Sequence, residues 1–289
     1  MRPWTPYIWL LPCALLIFGV IIWPIVELVI ISFSEMSLSG VRKGFNGLAN
    51  YAALFQDKTF LMVMKNTLIW TVSVVGISTV LSLGIAGLLN QAFPGRRFVR
   101  SVLVIPWAVS LIITSVIWKW ILDYNYGPLN LILQKLNLID ENIYWLATPA
   151  TSFPAMIGVA VFVTIPFTSF VILSGLQTIP HDLYESADID GANGWKKFFH
   201  ITLPLLKPSL TVSTVLNTIY VFNSFPIVWS MTKGDPINQT DLIITYLYKL
   251  AFDSHKMGQA AAVSVIGFLI LLAFALVYVT FAMRKENQG

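Results

Sequence analysis

The stretch ESADIDGANGWKKFFHITLPLL, residues 185–206, concentrates charge in a chain that is only 11% charged and 56% hydrophobic. Apolar windows lie on both sides of it, and each is close to the ~20 residues that a membrane-spanning helix needs. Gly191 and Gly194 interrupt two short helical patterns within the stretch. It therefore predicts a polar helix–turn–helix between two membrane spans.

The two short helices of this segment, taken as residues 178–205, have recognisable ends and faces. Asp182, with Glu185 three residues later, predicts a capping box on the first helix. The second helix has an apolar stripe at helical spacing, made of Trp195, Phe198, Phe199 and Thr202. Two interpretations stay open: a loop held at the lipid headgroups by its aromatic side chains, or a docking element for a groove on a partner protein.

The rest of the chain is apolar enough to cross a membrane six times. Its mean hydropathy is +0.75, and a soluble domain cannot bury that much apolar surface. The apolar windows exceed the ~10-residue strands of a transmembrane barrel, and a backbone in lipid must pair its polar groups internally. We predict an all-α integral membrane protein, a single domain over residues 1–289, with transmembrane helices at approximately 7–31, 66–92, 101–122, 153–176, 206–231 and 257–283.

Basic residues in short loops set the predicted orientation. Two loops are rich in arginine and lysine, those of Arg96, Arg97 and Arg100 and of Arg284 and Lys285. The positive-inside rule places both on the cytoplasmic side of the membrane. With six spans, this orientation also puts the N-terminus, the C-terminus and residues 178–205 in the cytoplasm.

The titratable residues argue against several function classes. The single cysteine, Cys13, excludes an intrachain disulfide, and the three histidines lack the spacing of paired metal ligands. We therefore expect neither a metal site nor catalytic residues. The cations are scattered, unlike the basic face that binds nucleic acid. Glu27 is the one carboxylate inside a predicted span, so a carrier that uses Glu27 stays open beside a side chain that simply reaches the membrane surface.

The charged segment resembles the EAA loop of binding-protein-dependent ABC importer permeases. That family's pattern is Glu-Ala-Ala, three residues, Gly, nine residues and Ile-x-Leu-Pro, and here Ser186 stands at the first alanine. In that family the loop sits in a cleft of the ATPase subunit and transmits its closure. The resemblance implies that coupling to an ATPase falls to Glu185, Ser186, Ala187, Asp190, Gly191, Ile201, Leu203 and Pro204.

Motifs elsewhere narrow the resemblance to the carbohydrate branch of the family. They look like its first permease subunit, the counterpart of the maltose-type subunit that pairs with a second, different permease. These motifs are Trp23-Pro24, Ser32-Phe33, residues 47–51, Asn66-Thr67, Pro106-Trp107, residues 126–130, Trp145-Leu146, residues 175–177 and residues 232–236. At Gly234-Asp235-Pro236 the chain departs from the family's Gly-Gly-Pro turn.

The resemblance also implies an assembly of the type I ABC importer class in a bacterial or archaeal cell (inner) membrane. Its partners would be a second homologous permease in a heterodimer, two ATPase subunits or a homodimer of one, an extracytoplasmic sugar-binding protein and membrane lipid. The chain has no Gly-x-x-x-x-Gly-Lys phosphate loop. We therefore expect a non-catalytic subunit that binds no cofactor itself, with ATP and Mg on the partner ATPase, and no nucleic-acid partner.

The family holds its sugar midway across the membrane on helices three, four and five. The residues carried over to this chain are Trp107, Leu111, Ala160, Val163, Thr164, Phe167, Asn217, Val221 and Ser224. Independently, Asn217, Tyr220 and Ser224 are spaced to share one helix face, with Asn223 alongside. Aromatic rings beside amide and hydroxyl groups suit a polyol, although helix–helix hydrogen bonding by such residues is the simpler alternative.

These observations predict a permease subunit that translocates a sugar or oligosaccharide delivered by an extracytoplasmic binding protein. A glycerol-phosphate-type or other polyol substrate is the alternative within the family. No predicted span has an arginine at its middle, which favours a neutral substrate because a phosphate would need a nearby cation.

Overall fold

A computed structural model describes the backbone of residues 5–284 and the side chains of residues 10–280. The first helical span is continuous and runs as α1 (Thr5–Leu16), a π-helical turn (Ile17–Ile22) and α2 (Trp23–Ser32). The sequence predicts a span at 7–31 here. The predicted cytoplasmic position of the two chain ends rests partly on Lys285, which lies outside the described residues.

A small segment outside the apolar spans follows the first of them. It consists of an antiparallel hairpin of β1 (Ser34–Met36) and β2 (Arg42–Phe45), followed by α3 (Ala49–Gln56). The long helix α4 (Lys58–Asn90) then begins well before the predicted bound at residue 66. The Asp57 carboxylate accepts a hydrogen bond from the Thr59 N–H at 2.8 Å and so starts this helix outside the apolar window.

The third predicted span is not a single helix, which corrects the expectation of one continuous helix over 101–122. It consists of α5 (Arg96–Ala108) and α6 (Leu111–Ile121), bent by 97° relative to each other. Val109 and Ser110 are extended between them. Hydropathy carries no information about helix direction, so one apolar window covers both pieces.

The remaining helices continue the order of the predicted spans. The fifth span has a short break at residues 223–224, between α12 and α13. The elements are α7 (Pro128–Lys135), α8 (Pro149–Leu176), α9 (Asp182–Ile189), α10 (Gly194–Lys197), a π-helical turn (Phe198–Thr202), α11 (Leu203–Leu205), α12 (Lys207–Phe222), α13 (Phe225–Met231), α14 (Ile243–Tyr248), a second such turn (Lys249–Asp253) and α15 (Met257–Arg284).

Five helical segments in the described part of the chain are long and apolar enough to cross a membrane. The bent pair α5–α6, counted as one span, makes a sixth. This agrees with the six spans predicted from the sequence. Apart from the β1–β2 hairpin, the described secondary structure is helical. The polar segment α9–α11 lies between the fourth and fifth spans, where the sequence places it.

The described chain divides into two compact units. One comprises the chain up to Met62 together with Tyr246–Ile270, and the other comprises Val63–Thr245 with the segment from Leu271. In the second unit α8 is the central helix, because α5 and α12 both pack against it. Its buried core includes Trp70, whose indole N–H donates to the Val221 carbonyl at 3.1 Å, next to the end of α12.

The turn at Gly234-Asp235-Pro236, which departs from the family pattern, is held by side-chain hydroxyls. Thr240 Oγ1 donates to the Asp235 carbonyl at 2.9 Å, and Thr232 Oγ1 lies 3.0 Å from Thr240 Oγ1. Gly234 has a φ of +85° and abuts the Asp241 carboxylate, so a side chain at 234 has neither the space nor the backbone freedom it needs. The departure therefore keeps the glycine that this packing requires.

In the first unit, the carboxylate of Asp57 makes stability depend on pH. Burial by itself raises its pKa, but hydrogen bonds from Tyr246 Oη (2.7 Å) and the Thr59 N–H, together with the charge of Lys256, bring the pKa below the usual 3.8. A lowered pKa in the folded state stabilises the fold above the unfolded-state pKa, and this stabilisation is lost as pH falls through the folded-state value.

We therefore expect Asp57→Asn to make the melting temperature depend less on pH at acidic pH. The native chain should lose melting temperature as pH falls from about 5 toward 3, because Asp57 gains a proton on unfolding in that window. The Asp57→Asn variant should lose less over the same interval, since the amide that replaces the carboxylate does not titrate. Thermal melts of the purified protein in detergent measure this, and parallel curves for both proteins would contradict the assignment.

Candidate functional site

The segment of residues 178–205, called the coupling loop below, is a compact helix–turn–helix. Helix α9 ends at Ile189 with Asp190 as its C-cap, and Gly191 then takes a φ of +71°, which reverses the chain at no steric cost. Asn193 caps α10, because its Oδ1 accepts the Lys196 N–H at 2.9 Å. The glycine at 191 thus makes the turn that the sequence predicts, whereas Gly194 begins the second helix instead of interrupting it.

Two side-chain pairs tie the arms of the coupling loop together. Tyr184 Oη on α9 lies 2.9 Å from Thr202 Oγ1 on the second arm, and Asp188 forms an ion pair with Lys197. Thr202 is buried by this contact. The two arms are therefore linked at two levels. Sequence reasoning singled out neither pair, since only the folded turn brings these positions together.

The predicted capping box at Asp182 and Glu185 is wrong. The N-cap position of α9 is His181, and no side chain caps the helix there. Glu185 Oε1 instead lies 3.1 Å from His181 Nδ1, one turn earlier, and both side chains are largely exposed. Glu185 contacts His181 four residues earlier on the same helix, so its carboxylate is not placed to cap the N-terminus of α9.

The coupling loop presents an apolar surface on its tip and second arm. Ile189 is 88% exposed and Trp195 73% exposed, and Trp195 stacks on Phe199 with ring centroids 5.9 Å apart. The predicted stripe is therefore divided, because Thr202 turns inward while Trp195 and Phe199 stay outside. Exposed apolar side chains of this size suit contact with a partner protein or with the lipid headgroups. Ile189 belongs to this apolar surface, although the sequence pattern did not indicate it.

The residues predicted for ATPase coupling occupy both arms of the loop. Glu185, Ser186 and Asp190 are exposed on α9 and at its end. Ala187 is half-buried on the inner side of the same helix. On the second arm Ile201, Leu203 and Pro204 are all partly buried, in the stretch that leads directly into α12.

A cavity of about 330 Å³ lies in the second unit, between helices α5, α8 and α12. Its size falls in the range of small-molecule sites, roughly 300–1,000 Å³. Six lining residues are among those predicted for substrate binding, and Leu216 is added by the structure. The lining residues are Trp107, Val163, Thr164, Phe167, Leu216, Asn217 and Tyr220.

The polar groups of this cavity are held in a hydrogen-bonded series. Thr164 Oγ1 donates to the Ala160 carbonyl at 2.7 Å, Thr168 Oγ1 donates to the Thr164 carbonyl at 2.9 Å, and Asn217 Nδ2 donates to Thr168 Oγ1 at 2.7 Å. The Asn217 amide is thereby fixed, with its N–H₂ group toward α8. Its carbonyl oxygen has no partner among the described residues and remains available as an acceptor at the cavity.

Five other residues predicted for the substrate site do not line the cavity. Leu111, Ala160 and Val221 pack in or against the apolar core. Helix α12 ends at Phe222, so the helix face that the sequence extended to residues 223 and 224 does not exist. Asn223 is exposed and donates to the Ile219 carbonyl, while Ser224 is buried at the start of α13.

Helices α8 and α12 pack along a line of contact, called the α8–α12 seam, and at Gly175 their backbones approach closely. A Cβ atom at this position would lie 2.7 Å from Ser209 Cβ and 3.0 Å from Leu206 Cδ2. We expect Gly175→Ala to destabilise the protein by about 1–3 kcal/mol, because the added methyl forces the two helices apart.

Gly158 on the same helix is a matched control, because a Cβ atom there meets nothing within 4 Å. Gly158→Ala should be neutral or slightly stabilising, since alanine favours helix. Thermal unfolding of the purified protein measures both variants. Equal melting temperatures for Gly175→Ala and Gly158→Ala would show that the seam tolerates a side chain.

The sequence of this chain is similar to those of known membrane transport proteins. The sequence model described as "Binding-protein-dependent transport system inner membrane component" matches residues 59–285. A probable ABC transporter permease protein of Brucella suis biovar 1 is 48% identical over 98% of both chains. The trehalose/maltose transport system permease protein MalF of Thermococcus litoralis is 36% identical, over 94% of this chain and 91% of its own length.

One solved structure has the same fold over nearly its whole length. It is a subunit of a bacterial ABC transporter involved in the import of the acidic polysaccharide alginate, with a TM-score of 0.86. It covers 98% of this chain and 96% of its own, at 24% identity. The predicted architecture, six transmembrane helices with a helix–turn–helix loop in a type I importer core, is confirmed by this likeness in fold.

Proposed function

The chain belongs to the family of binding-protein-dependent transport system inner membrane components, and from this premise we propose that it is one permease half of an ATP-driven importer of a sugar or oligosaccharide. One observation carries the proposal. The coupling loop directly joins α8 and α12, and these two helices supply six of the seven residues that line the cavity. A displacement of the loop would thus reach the cavity through two rigid elements.

In the proposed cycle, a partner ATPase moves the coupling loop. The exposed apolar tip at Ile189 and Trp195 would seat in the ATPase, and the Tyr184–Thr202 and Asp188–Lys197 pairs would keep the two arms together. Closure of the ATPases on ATP would turn α8 and α12 so that the cavity faces outward, and hydrolysis would return it to face the cytoplasm. Because ATP stays on the partner, this chain contributes binding and motion but no catalytic group.

The assembly follows from the same premise. An extracytoplasmic binding protein delivers substrate to systems of this family, and a second, homologous permease would complete the cavity opposite Trp107, whose side chain is 59% exposed in the single chain. The arginine loop, the coupling loop and both chain ends would lie in the cytoplasm of a bacterial or archaeal cell.

The cavity favours an uncharged substrate. Trp107, Phe167 and Tyr220 offer ring faces for the apolar faces of sugar rings, and Asn217 and Thr164 offer polar groups near them. None of the seven lining residues carries a charge. A glycerol-phosphate-type substrate is the alternative, and it would require cations from the second permease.

A carrier function based on Glu27 is not needed to explain the chain. Glu27 lies on α2 and is half-buried, and no hydrogen bond or ion pair links its side chain to another described residue. Membership of a binding-protein-dependent family accounts for transport without a coupling carboxylate.

The proposal is tested by producing the chain with the proteins encoded beside it and measuring uptake into proteoliposomes. We expect uptake that requires ATP and the binding protein, with neutral saccharides as substrates. Uptake of a sugar phosphate in preference to neutral sugars would overturn the neutral class while leaving the importer intact. Transport by the chain alone, driven by a proton or sodium gradient, would overturn the importer itself.

A further inference from the structure

A second cavity, shallow and largely open at the surface, has a volume of about 470 Å³ and lies beside the first along the α8–α12 seam. The two cavities share Phe167 as a lining residue. From Phe167 the second cavity runs past Phe170 and Val171 to Ser174 on α8, and past Val212 and Ser209 on α12. It therefore leads toward the end of α8 and the start of α12, where the coupling loop is attached.

The two cavities together have the length of half a bilayer. From Val163 to Ser174, eleven residues of α8 rise about 16 Å at 1.5 Å per residue. From Tyr220 back to Pro208, twelve residues of α12 rise about 18 Å. Half of the ~30 Å hydrocarbon core is about 15 Å. A path of this length connects a mid-membrane site with the cytoplasmic surface.

On α12, the Ser209 hydroxyl of the second cavity differs from its neighbours. On α12, Thr211 and Ser213 donate to backbone carbonyls four and three residues earlier, as hydroxyls in lipid-embedded helices commonly do. Among the described residues, neither Ser174 nor Ser209 has a hydrogen-bond partner, although Ser174 is exposed. A free hydroxyl facing lipid is unfavourable, so this wall is better suited to water and to the hydroxyl groups of a passing sugar.

Resting on the proposed function, we propose that the second cavity is the release path of the substrate. Phe167 is the ring that separates it from the binding cavity, and Ser174 and Ser209 supply its polar contacts. An uncharged sugar would leave the first cavity past Phe167 and reach the cytoplasm along the seam. The path ends beside the coupling loop, so the same loop movement that reorients the binding cavity would close it.

The path can be tested by cysteine labelling in the assembled transporter, with the native Cys13 replaced by serine. Ser174→Cys and Val212→Cys place thiols in the second cavity. Ser169→Cys and Ser213→Cys are matched controls on the same helices, because both serines are fully buried. The probe is a charged, membrane-impermeant methanethiosulfonate, applied to inside-out vesicles. This reagent reacts with a thiolate and therefore needs water at the site.

We expect labelling at 174 and 212 to be at least about tenfold faster than at 169 and 213. The reagent reacts only with a thiolate that water reaches, and the two control positions are buried. Trapping the ATPases closed with ATP and vanadate should slow labelling at 174 and 212. Equal rates at all four positions would overturn the release path, as would reaction only with a lipid-soluble maleimide or cross-linking of 174 and 212 to the second permease.

Failure of this inference is distinguishable from failure of the proposed function. The same preparation is assayed for ATP-dependent uptake and for a co-purifying ATPase before labelling. If uptake is intact and the cysteines do not label, the release path is wrong and the importer stands. If one cysteine variant fails to assemble, the other, on a different helix, still decides the outcome.

Discussion

Gly191→Val is expected to reduce ATP-dependent uptake by at least about tenfold while the protein still inserts and assembles. The backbone at 191 has a φ of +71°, which a β-branched residue does not adopt without strain of about 1–3 kcal/mol. A Cβ atom there meets nothing within 4 Å, so the effect comes from the turn and not from a clash. A rebuilt turn would displace Ile189 relative to Trp195 and spoil the surface offered to the ATPase.

Gly191→Asn is the matched control, since asparagine tolerates the left-handed region. It should retain most of the uptake, although it adds a larger polar side chain at the same exposed place. Uptake and ATP hydrolysis are measured together in proteoliposomes. If valine and asparagine impair transport equally, a side chain at this position is harmful in itself and the conformational argument fails.

Trp107→Ala is expected to raise the concentration of loaded binding protein at half-maximal uptake by about 10- to 100-fold. Burying a large apolar side chain against a ligand contributes about 1.5–3 kcal/mol, and each 1.4 kcal/mol is a factor of ten in affinity. Trp107 is 59% exposed and lines the cavity, so its truncation should leave the fold intact. The variant therefore separates substrate binding from stability.

Trp107→Phe is the conservative counterpart, because it keeps an aromatic face for a sugar ring. It should recover most of the affinity that the alanine variant loses. Uptake is measured against the concentration of loaded binding protein, with melting temperatures recorded for each variant. An unchanged half-saturation value in Trp107→Ala would remove Trp107 from the substrate site and leave it as a packing residue.

Composition and one motif were enough to predict most of the architecture. Six apolar windows account for the spans because lipid imposes a length and a helical backbone on each. The coupling loop was identified by the spacing of Glu185, Gly191 and Leu203-Pro204. The bend between α5 and α6 was not predictable from hydropathy, since one apolar window covers both pieces.

The candidate cavity was predicted in part. Trp107, Phe167 and Asn217 line it. The family resemblance implied all three positions, and the shared helix face of Asn217 and Tyr220 indicated Asn217 independently. Ser224 and Asn223 were extrapolated past the end of α12 and so fall outside. The tie between Tyr184 and Thr202 joins positions eighteen residues apart, which no local pattern reveals.

The central claim is that the coupling loop contacts the ATPase, and photochemical cross-linking tests it most directly. A photoreactive side chain is introduced at position 189, the 88%-exposed tip of the loop, and as a control at position 131 on the predicted outer side, where Leu131 is 48% exposed. We predict that irradiation of the active complex joins position 189, but not 131, to a protein that contains a Gly-x-x-x-x-Gly-Lys phosphate loop. An active complex in which position 189 forms no such adduct, or in which position 131 does, would contradict the account.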